Sequence, residues 1–180
     1  MSVRTAAIVI DNFLSSEEWQ YIQSNVNSYL YVNEFVEDKN ELYCKCIEFI
    51  KQKLKSLDIW REHWDQTINM WSYINSLPPK IDRESSSGNG GYHSEFGGFV
   101  YYMHPGWDSS WGGHLKFKNC SMDKIEPKSN RFVWINPAVW HGIEVVNSDA
   151  RHNRVTIVGW PEGCIEYSNA TLIINTQKEG

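Results

Sequence analysis

The stretch Tyr92-His93-Ser94-Glu95 says most about the fold, because it lies in a run that is typical of a β-strand. Residues 92–103 are rich in aromatic and β-branched side chains, which favours a strand or a turn followed by a strand. Alternate residues of a strand point to the same face. A strand here therefore directs the side chains of His93 and Glu95 to one point and that of Ser94 away from it.

Two runs downstream place further polar side chains on predicted strands. Residues 132–146 are broken near Asn136-Pro137, and strand alternation puts four side chains of this run on one face: Val139, His141, Ile143 and Val145. In residues 154–160, the same alternation puts another four on one face: Arg154, Thr156, Val158 and Trp160. We expect a series of short strands from residue 71 onward, which suits a sandwich or a barrel.

The polar residues of these runs have the chemistry of a metal site next to an anion site. Two histidines and a carboxylate can hold a non-haem Fe(II) on one face and leave coordination positions open, so the predicted ligands and catalytic residues are His93, Glu95 and His141. A guanidinium beside a hydroxyl suits a carboxylate, which makes Arg154 and Thr156 candidates for holding an anionic co-substrate. Arg151 competes with Arg154, but it lies in a polar turn stretch, and strand alternation favours Arg154. An oxygenase is the leading hypothesis.

The order of these motifs resembles the Fe(II)/2-oxoglutarate-dependent dioxygenases, specifically their prolyl 4-hydroxylase-like branch. The resemblance extends over residues 7–160 and rests on five motifs: His93-Ser94-Glu95, Tyr101-Tyr102-Met103-His104, Trp111-Gly112-Gly113-His114-Leu115-Lys116-Phe117, Asn130-Arg131-Phe132-Val133-Trp134, and Arg154-Val155-Thr156 followed by Trp160. The entry into the first helix, residues 9–15, also looks like this branch. Glu95 stands where the family usually has aspartate.

The resemblance implies a cofactor set and a reaction. Fe(II) would be bound by His93, Glu95 and His141, and O2 would take an open position on the metal. 2-Oxoglutarate would chelate the iron, and its far carboxylate would be held by Arg154 and Thr156. Tyr102 would support Arg154, Tyr73 would line the pocket, and ascorbate is a candidate additional cofactor. The expected products are succinate, carbon dioxide and a hydroxylated substrate.

A peptide or protein is the expected substrate, ahead of a free small molecule, and a peptidyl proline is the first candidate target. In the prolyl-hydroxylase-like branch, the loop equivalent to residues 77–91 tends to close over a peptide, so we expect these residues to order on substrate binding. The sequence itself specifies neither the substrate nor the oligomeric state.

The predicted architecture is a single mainly-β domain over residues 1–180, a double-stranded β-helix (jelly roll) with N-terminal helices packed on one sheet. Residues 1–70 would form the helical support, residues 71–160 the jelly-roll core and residues 161–180 a C-terminal strand or tail. Ser15 and Glu18 form a capping-box pattern that opens a helix through about Tyr29. A second helix is predicted over about residues 38–57 from apolar residues at helical spacing.

The amino-acid composition restricts the kinds of binding partner and the location that we expect for this protein. Hydrophobic residues make up 41% of the chain and aromatic residues 14%, which indicates a folded protein. The formal net charge of −5 disfavours nonspecific nucleic-acid binding. No apolar stretch approaches the roughly 20 residues of a membrane helix, and the N-terminus lacks a signal-peptide pattern. We therefore expect a cytoplasmic protein that has no membrane partner, with four free structural cysteines, Cys44, Cys46, Cys120 and Cys164.

Three alternatives remain open from the sequence. One is a cupin-type metalloenzyme of another reaction class, and a second is a catalytically silent jelly-roll binding module. The third is a carbohydrate-binding sandwich, which the nine tryptophans permit but which leaves the ordered histidines and Arg154 unexplained. The remaining histidines are predicted to be surface groups or supports of the site: His63, His104, His114 and His152.

Overall fold

The computed structural model of the chain describes residues 6–58, 60–80, 98–120, 122–136 and 139–161. Its N-terminal part holds strand β1 (Ala7–Ile10), helices α1 (Ser16–Asn25) and α2 (Asn27–Leu30), strand β2 (Val36–Asp38), and helices α3 (Glu41–Ser56) and α4 (Trp64–Thr67). Strands β3 (Ser72–Leu77), β4 (Gly98–Tyr102), β5 (Leu115–Phe117), β6 (Lys124–Ile125), β7 (Phe132–Ile135), β8 (His141–Ile143) and β9 (Arg154–Gly159) follow. A 3₁₀ turn, Ser109–Trp111, precedes β5.

Within the described residues, the strands form two antiparallel sheets. The larger sheet has the order β1-β7-β4-β9-β3-β2, and the smaller has the order β6-β5-β8. Apolar side chains from both sheets pack together in one cluster, which includes Val100, Tyr102 and Val158 from the larger sheet and Leu115 and Phe117 from the smaller. The two sheets therefore face each other, as in a jelly roll, and the mainly-β prediction is confirmed.

The helices cover the outer face of the larger sheet. Ile22 of α1 and Ile47, Ile50 and Leu54 of α3 share a core with Ile157 and other strand residues that point away from the smaller sheet. The helical spacing of the apolar residues in α3 therefore produces the packing expected from the sequence. Among the described residues, no helix combines the length and the apolar character that a membrane span requires.

The helix boundaries follow local capping chemistry. Ser15 accepts a hydrogen bond from the backbone of Glu18, and the Glu18 carboxylate accepts one from the backbone of Ser15, so the predicted capping box is present. The predicted extent of this helix was too long, because α1 ends at Asn25 and a separate short helix follows. The second helix begins three residues later than expected, because Val36–Asp38 pairs with β3 as a strand and Asn40 caps the helix.

The Asn130-Arg131 motif ties the N-terminal segment to the larger sheet. The Asn130 side chain accepts hydrogen bonds from the Leu14 backbone at 3.0 Å and from the Tyr101 hydroxyl at 2.8 Å, and it donates one to the Leu14 carbonyl at 3.0 Å. Arg131 donates to Asp11 at 2.6 Å, which lowers the pKa of that carboxyl group. This motif therefore has a structural role.

Three of the four cysteines lie in the described residues, and all three are free thiols, as expected: Cys44, Cys46 and Cys120. Burial raises the pKa of the Cys46 thiol to about 12, so this residue behaves as a small apolar side chain. Cys164 lies outside the described residues, as do most of residues 77–91 and nearly all of residues 161–180.

Candidate active site

A row of polar side chains crosses the inner face of the larger sheet. Asn75 of β3 lies directly opposite Thr156 of β9, and Thr156 lies directly opposite Tyr102 of β4. Residues directly opposite each other in antiparallel strands share a face. Arg154 lies two residues before Thr156 and therefore points to the same side, towards the smaller sheet.

Arg154 is fully buried, with a relative exposure of 0%. Its Nε donates to the Gly113 carbonyl at 2.8 Å, its Nη2 approaches the Tyr102 hydroxyl at 3.4 Å, and its guanidinium carbon lies 5.1 Å from the centre of the Tyr102 ring. Arg151, the competing candidate, is exposed. The structure thus brings Arg154 and Tyr102 together as the sequence predicted, while their role towards a co-substrate stays a prediction.

Gly113 makes room for Arg154. Its φ of +69° lies in the left-handed region that favours glycine. A Cβ at this position would come within 3.1 Å of Arg154 Cδ and 3.3 Å of both Trp107 and Val146. The Trp111-Gly112-Gly113 motif therefore forms the turn that accepts the hydrogen bond of Arg154.

Two buried polar side chains beside Arg154 have no hydrogen-bond partner among the described residues. They are Asn75, with both its amide oxygen and nitrogen, and Thr156, with its hydroxyl oxygen. Leaving such a buried group unsatisfied costs about 1–3 kcal/mol, so such groups call for an explanation. Sequence reasoning singled out Thr156 but missed Asn75. Its position two residues after Tyr73 on the same strand is the signal that could have revealed it.

His141 lies on β8, opposite Phe117 of β5, and is buried with 5% exposure. Phe117 belongs to the core between the sheets, so the His141 side chain points towards that core. Its Nδ1 lies 2.8 Å from the Val139 carbonyl, which can only accept a hydrogen bond. In the neutral imidazole, Nδ1 therefore carries the proton and Nε2 the lone pair, which is the tautomer of a typical metal-binding histidine.

The other two predicted metal ligands, His93 and Glu95, lie outside the described residues. Within the part of the chain that the structure describes, no group of three histidine, cysteine or acidic side chains is placed to hold a metal. The assignment of His93 and Glu95 as ligands therefore stays a prediction from the sequence.

Tyr73 and Trp160 form an aromatic pair at the opposite end of β9 from Arg154. Their ring centres are 5.9 Å apart, and Tyr73 lies opposite Val158 in the β3–β9 ladder. Both side chains are partly buried against the core between the sheets. The structure thus places the predicted pocket residue Tyr73 on the same face as Arg154 and Thr156.

Three of the four remaining histidines are buried, and the surface location that was one expectation for them holds only for His63. His63 is exposed, but His104, His114 and His152 are buried. His104 supports the site, since its Nε2 donates to the Pro127 carbonyl at 2.7 Å and its Nδ1 accepts from the Val155 backbone at 3.1 Å, next to Arg154. Burial lowers the pKa of His104 to about 3, so this imidazole is neutral at ordinary pH.

The donor groups of the described residues fit a ferrous ion and a dicarboxylate. Imidazole nitrogen, as in His141, is a donor that suits Fe(II), and the buried guanidinium of Arg154 and the buried Thr156 hydroxyl suit a carboxylate. The comparisons agree with this chemistry, because the sequence model of the 2OG-Fe(II) oxygenase superfamily matches residues 61–162, more than half of the chain. A search of curated protein sequences found no significant match.

Solved structures of similar fold include two prolyl hydroxylases. A prolyl-4-hydroxylase from Pseudomonas putida is 13% identical with a TM-score of 0.53, and the match covers 86% of this chain and 91% of that one. A Trichoplax adhaerens prolyl hydroxylase in complex with a hypoxia inducible factor peptide fragment is 17% identical with a TM-score of 0.52, covering 87% and 84%. NgTET1 in complex with 5mC DNA is 13% identical with a TM-score of 0.58, covering 92% and 77%.

At these identities the structural matches establish the fold, and they confirm the jelly roll predicted from the sequence. The sequence-model match establishes the family and with it the cofactors, Fe(II), 2-oxoglutarate and O2. The chain therefore belongs to the 2OG-Fe(II) oxygenase superfamily and is a 2-oxoglutarate- and Fe(II)-dependent dioxygenase of prolyl hydroxylase-like fold.

Proposed function

We propose that this dioxygenase hydroxylates a residue within a peptide or protein, with proline as the first candidate, and releases succinate and carbon dioxide. The observation that carries the proposal is the placement of His141 and of the Arg154–Thr156 pair on inner faces of two facing sheets. A metal ligand on one sheet and a carboxylate-binding pair on the other form the two halves of a site for a metal-chelating co-substrate.

Fe(II) with 2-oxoglutarate supplies the activation of O2 through oxidative decarboxylation of the co-substrate. His141 would hold the metal through Nε2, with His93 and Glu95 as the other ligands expected from the sequence. Arg154 would hold the far carboxylate with its charge, and the Thr156 hydroxyl would donate a second hydrogen bond. Because Arg154 and Thr156 are fully buried, they exclude water from this end of the co-substrate.

Two observations support a peptide or protein as the substrate. The Trichoplax adhaerens enzyme of similar fold is described in complex with a peptide fragment. In this chain, the aromatic pair Tyr73–Trp160 lies at the far end of β9 from Arg154, and aromatic faces suit a compact apolar residue such as proline. NgTET1 is described in complex with DNA, but a formal net charge of −5 gives this chain no general attraction to the phosphate backbone.

The test is a turnover assay with Fe(II), 2-oxoglutarate and a panel of proline-containing peptides, with and without ascorbate. We expect succinate formation and addition of one oxygen atom to a peptide, both detected by mass spectrometry. The His141→Ala variant is the negative control. Failure of the wild-type protein to form succinate with or without any peptide would support the catalytically silent alternative. Hydroxylation of a free small molecule or a nucleic acid, and of no peptide, would replace the proposed substrate class.

A further inference from the structure

Asn75 is a buried polar residue that has no role in the proposed reaction. Asn75 has a relative exposure of 1%, and Thr156, which lies directly opposite, has 0%. On its own strand, the neighbours on the same face are Tyr73 and Leu77, and Leu77 lies opposite Arg154. Asn75 thus lies in the polar row that continues through Thr156 to Tyr102, on the inner face of the sheet.

Neither polar atom of the Asn75 side chain has a hydrogen-bond partner among the described residues, and the same holds for the Thr156 hydroxyl. Two such groups lie on adjacent strands without bonding to each other. A purely structural asparagine in this protein is different: Asn153, also buried, donates to the carbonyls of Tyr29 and Val32 and to the Ser76 hydroxyl. The contrast indicates that Asn75 and Thr156 find their partner in a bound molecule.

We propose that Asn75 is a further co-substrate contact, whose side-chain NH₂ donates to the carboxylate that Arg154 and Thr156 hold. The inference rests on the proposed placement of 2-oxoglutarate at Arg154 and adds a residue of this chain to that site. An amide nitrogen offers two donors without adding charge, so it suits a carboxylate whose charge is already balanced by a guanidinium. An aspartate of the same shape at this position would instead repel it.

The test measures 2-oxoglutarate binding to the Mn(II)-loaded protein by calorimetry, which requires no substrate and no turnover. We expect Asn75→Leu to weaken 2-oxoglutarate affinity by about ten- to a hundredfold, because one hydrogen bond to a charged group is lost. Asn75→Asp should weaken it further. Mn(II) affinity, titrated separately, should equal that of the wild-type protein in both variants. Thr67→Val is the matched control, since Thr67 also carries a buried hydroxyl without a partner among the described residues but lies on helix α4, within the helical layer.

Thermal unfolding without 2-oxoglutarate gives a second readout. Removing an unsatisfied buried amide relieves a destabilising group, so Asn75→Leu should melt at or above the wild-type temperature, whereas Asn153→Leu should melt well below it. Adding 2-oxoglutarate should raise the melting temperature of Asn75→Leu less than that of the wild-type protein.

Wild-type 2-oxoglutarate affinity in the folded Asn75→Leu or Asn75→Asp variant would overturn the inference. If Asn75→Leu does not fold, Asn75→Asp alone decides, because it preserves the side-chain shape. Failure of the proposed co-substrate site looks different: in that case the wild-type protein would not bind 2-oxoglutarate, or Arg154→Met would bind it as tightly as the wild-type protein does.

Discussion

The backbone carbonyl of Gly113 accepts a 2.8 Å hydrogen bond from Nε of Arg154, so a turn that precedes the smaller sheet fixes the orientation of a buried guanidinium on the larger one. Gly113 has a positive φ, and a Cβ there would lie 3.1 Å from Arg154 Cδ, so a larger residue would be strained and would have to displace the arginine slightly. The glycine motif and the arginine, far apart in sequence, therefore act as one unit.

Substituting Gly113 should impair co-substrate binding. Gly113→Ala places a methyl group against Arg154 and strains a left-handed backbone by about 1–2 kcal/mol. We expect 2-oxoglutarate affinity to fall roughly tenfold or more, measured by calorimetry on the Mn(II) form. Gly106→Ala is the control, because a Cβ there meets nothing within 4 Å. Equal loss in both alanine variants would show that the Gly113–Arg154 contact is not the cause.

The buried His104 should make stability depend on pH. Its pKa is about 3 in the folded protein, against an ordinary value of 6.5, so the unfolded chain binds one more proton between these values. Stability from this residue is therefore fully present above pH 6.5 and is lost as the pH falls towards 3. The loss between pH 6.5 and 4 amounts to about 3 kcal/mol.

Urea denaturation at a series of pH values measures this loss. His104→Gln cannot titrate, so its free energy of unfolding should fall less steeply below pH 6.5 than that of the wild-type protein, although it starts lower at neutral pH. The exposed His63 provides the control variant His63→Gln, which should follow the wild-type slope. Parallel curves for His104→Gln and the wild-type protein would contradict a neutral, buried His104.

The metal assignment predicts that His141→Ala abolishes Mn(II) and Fe(II) binding while the fold survives. The hydrogen bond of its Nδ1 goes to the Val139 carbonyl, two residues away, so the loss of this bond breaks a local contact. His93→Ala should behave in the same way, as expected from its place in the sequence motif. Calorimetric metal titration and a melting curve check both points, and His63→Ala should bind metal normally. Unchanged affinity in both ligand variants would remove these histidines from the site.

Glu95 carries a separate prediction, drawn from the sequence alone. The family usually has the shorter aspartate, so Glu95→Asp should retain metal binding and part of the 2-oxoglutarate turnover, whereas Glu95→Ala should lose most of both. Succinate measured by mass spectrometry distinguishes the variants. An alanine variant as active as the wild-type protein would mean that Glu95 does not bind the metal.

Strand alternation predicted the faces of β9 and β8 correctly, because a period of two is a local property of the chain. The alternation therefore put Arg154 and Thr156 on one face of their strand, whereas the burial of that face follows only from the packing of the two sheets. The capping box at Ser15 is likewise local. The end of α1 has no such local signal, because nothing in the sequence marks the break between Asn25 and Asn27.

The features that sequence reasoning missed or left open depend on contacts between distant residues. His104 is buried because the carbonyl of Pro127 and the backbone of Val155 satisfy it, and neither contact has a local signature. Strand β2 forms because Val36–Asp38 pairs with β3, which lies beyond helices α3 and α4 in the chain. Asn75 follows the same alternation as Tyr73, but its missing partner could be recognised only in the folded structure.

The most direct test of the co-substrate site compares two arginines three residues apart. Arg154→Met removes the buried charge while keeping much of the side-chain volume, and Arg151→Met removes an exposed charge from the same region. Calorimetric titration of 2-oxoglutarate into the Mn(II)-loaded proteins should show a loss of roughly 2–5 kcal/mol for Arg154→Met and almost none for Arg151→Met. Wild-type binding in Arg154→Met, together with loss of binding in Arg151→Met, would contradict the site described for this enzyme.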